Sequence, residues 1–293
     1  MNMDKVDAHV HVFDKVSDAF PRTTSELAPA DREATAETLL AEMNAAGIDR
    51  AVLIDMGGTA VEHHRYVTHC VERWPERFTA TGLVDLQDPD PPARLRELYE
   101  ATRIEGIRLG NLGDPDAVDA TELPVYGLFE VARELGLNIN VYGRGGNVGC
   151  VVLLATAFPE VVISLDHLGI CPTTPLEPDR WRRPRFATEP IPPSGYSQVL
   201  ELARFANVYI KVSGEYAFSK EPYPYADMKP MVESVYRHFG PDRMMWCTDF
   251  PWIVEEPGYA RLVALLDHHL PNLSPAETEM IMGGNALRVW FRR

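Results

Sequence analysis

The segment Val6-Asp7-Ala8-His9-Val10-His11-Val12 carries two histidines inside an apolar, β-branched run. Such a run predicts a strand. Alternate side chains of a strand share a face, so His9 and His11 are expected to point the same way. Two imidazoles on one face can grip a metal ion or polarise a substrate together. An edge strand with two solvated histidines reads equally well from these seven residues alone. The rest of the chain decides between the two.

Beyond it, strand-like and helix-like segments alternate. Residues 51–55, 78–84, 106–109, 137–142, 161–165, 208–212 and 244–247 are short apolar runs of strand length. Between and after them, residues 35–46, 61–74, 92–101, 123–135, 150–158, 197–205, 226–239 and 259–270 have apolar residues at helical spacing. An extra helix is expected over 274–283. Eight strand–helix units are the number that closes a (β/α)8 TIM barrel with parallel pairing. A doubly wound open sheet is the rival, but no glycine-rich phosphate loop follows the first strand. No linker divides the chain, so residues 1–293 form one domain. The Pro- and Gly-rich stretch 169–195 reads as a long loop inserted after the sixth strand.

Composition narrows the function. The formal net charge of -15 argues against nucleic acid as a partner, because phosphate binding needs a basic face. No apolar stretch is long enough to span a bilayer, and no secretory signal is expected. Cys70, Cys150, Cys171 and Cys247 form no close pair, as expected of reduced thiols in a cytoplasmic protein. A small-molecule substrate is the remaining partner, with homo-oligomerisation left open.

In a barrel of this type the active site lies at the C-terminal ends of the strands. His9 and His11 stand there on the first strand and Arg108 on the fourth. The fifth gives Tyr142, with Arg144 just beyond. The sixth gives Asp166 and His167, the seventh Lys211, Ser213 and Glu215, and the eighth Asp249. Strands one, six and eight are close together across a closed barrel. His63, His64, His69, His238, His268 and His269 fall within or at the ends of predicted helices, hence on the outer ring, with His268-His269 expected to be a solvated pair.

The motifs Asp7-Ala-His9-Val-His11, Gly106-Ile-Arg108-Leu, Leu165-Asp166-His167-Leu-Gly169, Asn207-Val-Tyr-Ile-Lys211-Val-Ser-Gly214 and Thr248-Asp249-Phe-Pro-Trp252 together resemble the amidohydrolase superfamily in its amidohydrolase-related branch. Within it the chain is similar to the lactonase-like group that includes 2-pyrone-4,6-dicarboxylate hydrolase and sugar lactonases. The resemblance implies a distorted barrel and hydrolysis at a carbonyl centre. It matches His9 and His11 to the first-strand pair, His167 to the sixth-strand histidine and Asp249 to the eighth-strand acid. Metal-binding members carry a Lys, Glu or His after the fourth or fifth strand, where this chain has Arg108 and Tyr142. No cofactor is therefore favoured. The alternative is one divalent ion, zinc or manganese, held by His9, His11 and Asp249, with His167 able to join.

The expected reaction is hydrolysis of a small lactone bearing a carboxylate. Asp249 would act as general base, the three histidines would polarise the carbonyl, and Arg108, Tyr142 and Arg144 would bind the substrate. The alternative for Arg108 is a structural ion pair with a barrel acid such as Glu105 or Asp85. Lys211 is expected to be buried against an acid. The arginines of 169–195 would serve a lid with anion contacts, or a solvated or intersubunit loop. The rival activity is a metal-dependent non-oxidative decarboxylase, of the aminocarboxymuconate semialdehyde decarboxylase type.

Overall fold

The computed structural model describes residues 4–142, 147–170, 174–187 and 190–292. Eight strands pair in parallel, in the order β1-β2-β3-β4-β5-β6-β9-β10. They are β1 (Val6–Val10), β2 (Arg50–Ile54), β3 (Phe78–Gly82), β4 (Gly106–Leu109), β5 (Asn138–Val141), β6 (Ile163–Leu165), β9 (Val208–Val212) and β10 (Met244–Trp246). Strands β7 (Thr174–Leu176) and β8 (Arg185–Ala187) form a separate antiparallel hairpin within the inserted stretch. Helices stand between the barrel strands, as the alternation predicts. No helix among the described residues is long and apolar enough to cross a membrane. Cys70, Cys150 and Cys247 are buried and unpaired; Cys171 lies outside the described residues.

The barrel closes beyond its strands. β10 and β1 meet through the segment that follows β10. The Asp249 N–H donates to the His9 carbonyl at 3.0 Å, and the His11 N–H donates to the Phe250 carbonyl at 2.7 Å. β1 is therefore shorter than expected, and its register against β2 slips between Asp7 and Val10. A slip of this kind re-aims side chains. Asp7 turns to Thr248 and Tyr259, whereas His9, two residues on, turns to Asp166 and Lys211. The fully buried Asp7 carboxyl accepts from the Thr248 N–H at 2.9 Å, the Thr248 hydroxyl at 2.5 Å and the Tyr259 hydroxyl at 2.8 Å. Burial nevertheless pushes it up to about 6, against the lowering effect of those donors.

The C-terminal segment packs on the barrel at β1 and β10. The expected helix 274–283 continues to residue 290: an α-turn (Pro275–Glu279), a π-turn (Met280–Gly284) and a last α-helix (Asn285–Trp290). Gly283-Gly284 reads as a helix end, but Gly283 is needed for packing, since a Cβ there would lie 2.0 Å from the Asp4 carbonyl oxygen. The Asn285 amide donates to the Pro241 and Met244 carbonyls, both at 2.7 Å. Trp290 is fully buried among Val6, Ala8, Val52 and Met245.

Two histidines of the outer ring are buried, and His268-His269 is not a solvated pair. His64 is fully buried, and His269 is 2% exposed. Successive helical residues lie about 100° apart, so His268 faces solvent while His269 faces inward. The Gly283 contact yields a test. By helix propensity alone, Gly283→Ala should stabilise by about 1 kcal/mol. The clash with backbone should reverse this to a loss on the order of 1–3 kcal/mol in urea unfolding. Equal or greater stability of the variant would show that the C-terminal helix does not sit against Asp4.

Candidate active site

His9, His11, His167 and Asp249 converge at the strand ends. His9 Nε2 and His11 Nε2 are 3.2 Å apart. Asp249 Oδ1 lies 3.6 Å from the first and 3.3 Å from the second. His167 Nε2 lies 3.9 Å from Asp249 Oδ2. All four residues are buried. Asp249 and His167 hold positive φ, 64° and 51°. That region is sparsely populated for residues other than glycine, and such strain of about 1–3 kcal/mol each collects at functional sites.

Other groups fix the orientation of each ring. His11 Nδ1 donates to the Ile54 carbonyl at 2.7 Å, which leaves its Nε2 lone pair pointing inward. His9 Nδ1 faces Asp166 Oδ1 at 3.2 Å, and a carboxylate there places the proton on Nδ1. His167 Nδ1 is 2.9 Å from Ser213 Oγ. Gly214 permits this approach: its φ is +79°, and a Cβ would come within 2.9 Å of the His167 ring. Burial pushes His9 well below the usual histidine range and lowers His167.

The carboxylates are held charged. Burial acts to raise Asp249, but His167, His9 and His11 outweigh it and keep it below the usual carboxylate range. Burial acts likewise on Asp166, and Lys211, His9 and Arg108 outweigh it. Lys211 Nζ lies 3.3 Å from Asp166 Oδ1, so this lysine is buried against an acid as expected. The Arg108 Nε donates to Asp166 Oδ2 at 2.9 Å. Arg108 thus does pair with a barrel acid, which is Asp166 and not Glu105 or Asp85. Arg108 also stacks over Tyr142, 4.6 Å from the ring centroid, and both line the cavity above the histidines.

That cavity holds about 170 Å³ and is open to solvent. Its lining includes His11, Arg108, Tyr142, His167, Asp249 and Tyr216, and apolar groups from the irregular segment after β1, the turn after β2, the hairpin and the turn after β10. Arg144 lies outside the described residues. Arg183 and Arg185 are engaged within the protein. Arg183 pairs with Asp179 and the Glu256 carbonyl, and Arg185 donates to the Tyr216 and Ser219 carbonyls. The hairpin instead gives the cavity Pro184 and Phe186.

Sequence reading missed Tyr216, whose hydroxyl donates to Asp249 Oδ2 at 2.5 Å. This bond fixes the carboxylate so that Oδ1 faces His9 and His11. Glu215 was the more conspicuous residue, but a short helix (Glu215–Phe218) turns it away from the cavity. It faces His269 Nδ1 at 4.0 Å, too long for a direct hydrogen bond.

The donor set fits a divalent cation. With both rings protonated on Nδ1, the Nε2 atoms of His9 and His11 and Asp249 Oδ1 are three converging acceptors. Asp249 Oδ1 is buried and makes no hydrogen bond among the described residues. Ligand atoms around a tetrahedral zinc are separated by about 3.3 Å, given bonds of about 2.0–2.1 Å. The separations here are 3.2, 3.3 and 3.6 Å. Ligand atoms of His9, His167 and Asp249 also lie within 4.8 Å of one another. The tighter triangle, including His11, meets the zinc spacing better.

Known proteins share this fold. The family model described as "Amidohydrolase" matches residues 6–292. An L-fucono-1,5-lactonase of Burkholderia ambifaria is 27% identical over 255 residues, covering 84% of this chain and 80% of that protein. Among solved structures, an amidohydrolase from Burkholderia multivorans with bound zinc superposes with a TM-score of 0.73 at 17% identity, covering 98% of both chains. A probable 2-pyrone-4,6-dicarboxylic acid hydrolase from Acinetobacter baumannii, with citric acid bound, has a TM-score of 0.72 at 18% identity, covering 98% of this chain and 99% of the other.

Glu215 allows a test by pH. Burial pushes its carboxyl from an ordinary 4.5 up to about 7. The folded state therefore prefers the protonated acid. Its stabilising contribution is full below about pH 4.5 and is lost as pH rises through 7. Glu215→Gln should be more stable than the parent at pH 8, by on the order of 3 kcal/mol at most, and the difference should vanish near pH 4.5. Urea unfolding at both pH values measures it. A difference independent of pH would contradict the assignment.

Proposed function

This chain belongs to the amidohydrolase family, and we propose that within it the protein hydrolyses a small lactone that carries a carboxylate. The observation that supports this best is the buried cluster of His9, His11, His167 and Asp249 under a cavity whose rim holds Arg108. The lactonase at 27% identity points the same way.

The ring carbonyl would lie over His9 and His11. His167, oriented by Ser213, would stabilise the charge that grows on the carbonyl oxygen as water adds. Asp249 would take the proton from that water and return it to the ring oxygen as the C–O bond breaks. Its lowered pKa keeps it ionised, at the cost of making it a weak base. Activation of the carbonyl must therefore carry part of the barrier. Here the donor set favours the metal alternative over the cofactor-free expectation: His9, His11 and Asp249 would hold a zinc or manganese ion. When bound, that ion supplies a Lewis acid and lowers the pKa of water. Arg108 would bind the substrate carboxylate, with Tyr142 beneath its guanidinium plane. Arg144 is proposed as a second contact. The unpaired cysteines favour the cytoplasm as the site of action.

Two variants test the roles. Asp249→Asn keeps the shape and the bond from Tyr216 but cannot accept a proton at neutral pH. Its kcat on a lactone should fall by about 10²-fold or more. A folded variant with a near-normal rate would remove Asp249 from the proton transfer. Arg108→Met should raise KM for an anionic lactone about 10- to 150-fold more than for its neutral ester, the loss of about 1.5–3 kcal/mol from a charged hydrogen bond. Any structural effect of losing the Asp166 pair is common to both substrates and cancels. Equal effects on the two would mean that Arg108 serves Asp166 alone.

A further inference from the structure

The described polar groups of the cavity are few. They are the reaction centre, Arg108 and Tyr142, and the Tyr216 hydroxyl is already given to Asp249. The remaining described wall is Leu27, Met56, Phe186, Ala217, Phe218 and Trp252, with Pro184 and Gly214. None of these side chains offers an oxygen, and the single N–H is the Trp252 indole. Phe186 and Phe218 stack, with ring centroids 5.4 Å apart and planes 25° from parallel. Phe186 comes from the inserted hairpin, which is tied down on both sides of it: Arg183 donates to the Glu256 carbonyl at 2.6 Å, and Arg185 to the Tyr216 and Ser219 carbonyls at 2.7 and 2.8 Å. Leu27 is fixed as firmly. It stands in a segment whose Arg22 guanidinium donates to the carbonyls of Asp14, Thr23, Ala28, Pro29 and Arg32.

From this wall we infer that the substrate carries its carboxylate on an apolar body, an alkyl- or aryl-substituted lactone, and not on a polyhydroxylated sugar ring. That it is a lactone rests on the function proposed above; that its body is apolar rests on the wall. A hydroxyl pressed against such a wall exchanges water for no partner. An apolar pocket discriminates against one added hydroxyl by up to about 10²-fold. The chain thus departs in substrate body from the L-fucono-1,5-lactonase that it is similar to.

The test compares, on the purified protein, a phenyl- or alkyl-substituted δ-lactone with a sugar δ-lactone by proton release. The expected ratio of kcat/KM is at least 10-fold in favour of the apolar lactone. Phe186→Ser, on the partly exposed hairpin, should bring the ratio toward one. A ratio at or below one, with hydrolysis observed, overturns this inference and leaves the lactonase reading standing. Binding of the unreactive lactams of both series, by calorimetry, reads the wall without turnover. Tighter binding of the apolar lactam, with neither lactone hydrolysed, supports the apolar body and sinks the lactonase reading. Equal or tighter binding of the hydroxylated lactam, or binding of neither, overturns the inference.

Discussion

Two backbone hydrogen bonds, from the Asp249 N–H to the His9 carbonyl and from the His11 N–H to the Phe250 carbonyl, complete the barrel where its first and last strands fail to pair as strands. The site depends on this seam. The bonds link the very residues that carry the proposed chemistry, so the distance between the first-strand histidines and the last-strand carboxylate is set by backbone geometry. Asp7 reinforces the seam through Thr248 and Tyr259. The slip in β1 register frees His9 to face Asp166 while Asp7 faces the other way. A regular strand would have sent both to one face.

Charge balance is the second constraint. Burying a lone carboxylate is expensive, and Asp166 is fully buried. It is kept charged by Lys211 and Arg108, and in turn it holds the His9 proton on Nδ1. The chain of dependence runs from two cations, through one carboxylate, to the free lone pair of one imidazole. Arg108 therefore has two duties, one toward Asp166 and one toward the cavity.

Much of this was legible in the sequence. The barrel follows from eight alternating runs, and a barrel dictates that residues just past strand ends meet at one mouth. That suffices to assemble His9, His11, Arg108, Tyr142, His167 and Asp249. What was not legible depends on turns shorter than a hydrophobic period. The four-residue helix after Gly214 exchanges Glu215 for Tyr216 at the cavity. The inward face of a helix end hides His269, and a π-turn carries the chain through Gly283-Gly284. The stretch 169–195 showed its arginines first, yet Arg183 and Arg185 serve to anchor a hairpin whose contribution to the cavity is apolar. Arg108 was readable as a cavity residue, but its partner Asp166 is 58 residues away and emerges only from the pairing of β4, β5 and β6.

The central claim is that His9, His11 and Asp249 form one converging acceptor set, spaced for a divalent cation. A calorimetric titration of zinc into chelator-treated protein tests it most directly. The account predicts one site per chain, lost in His9→Ala, His11→Ala and Asp249→Asn and retained in Glu215→Gln. Absence of a one-per-chain site, or binding undiminished when His11 is removed, would contradict it.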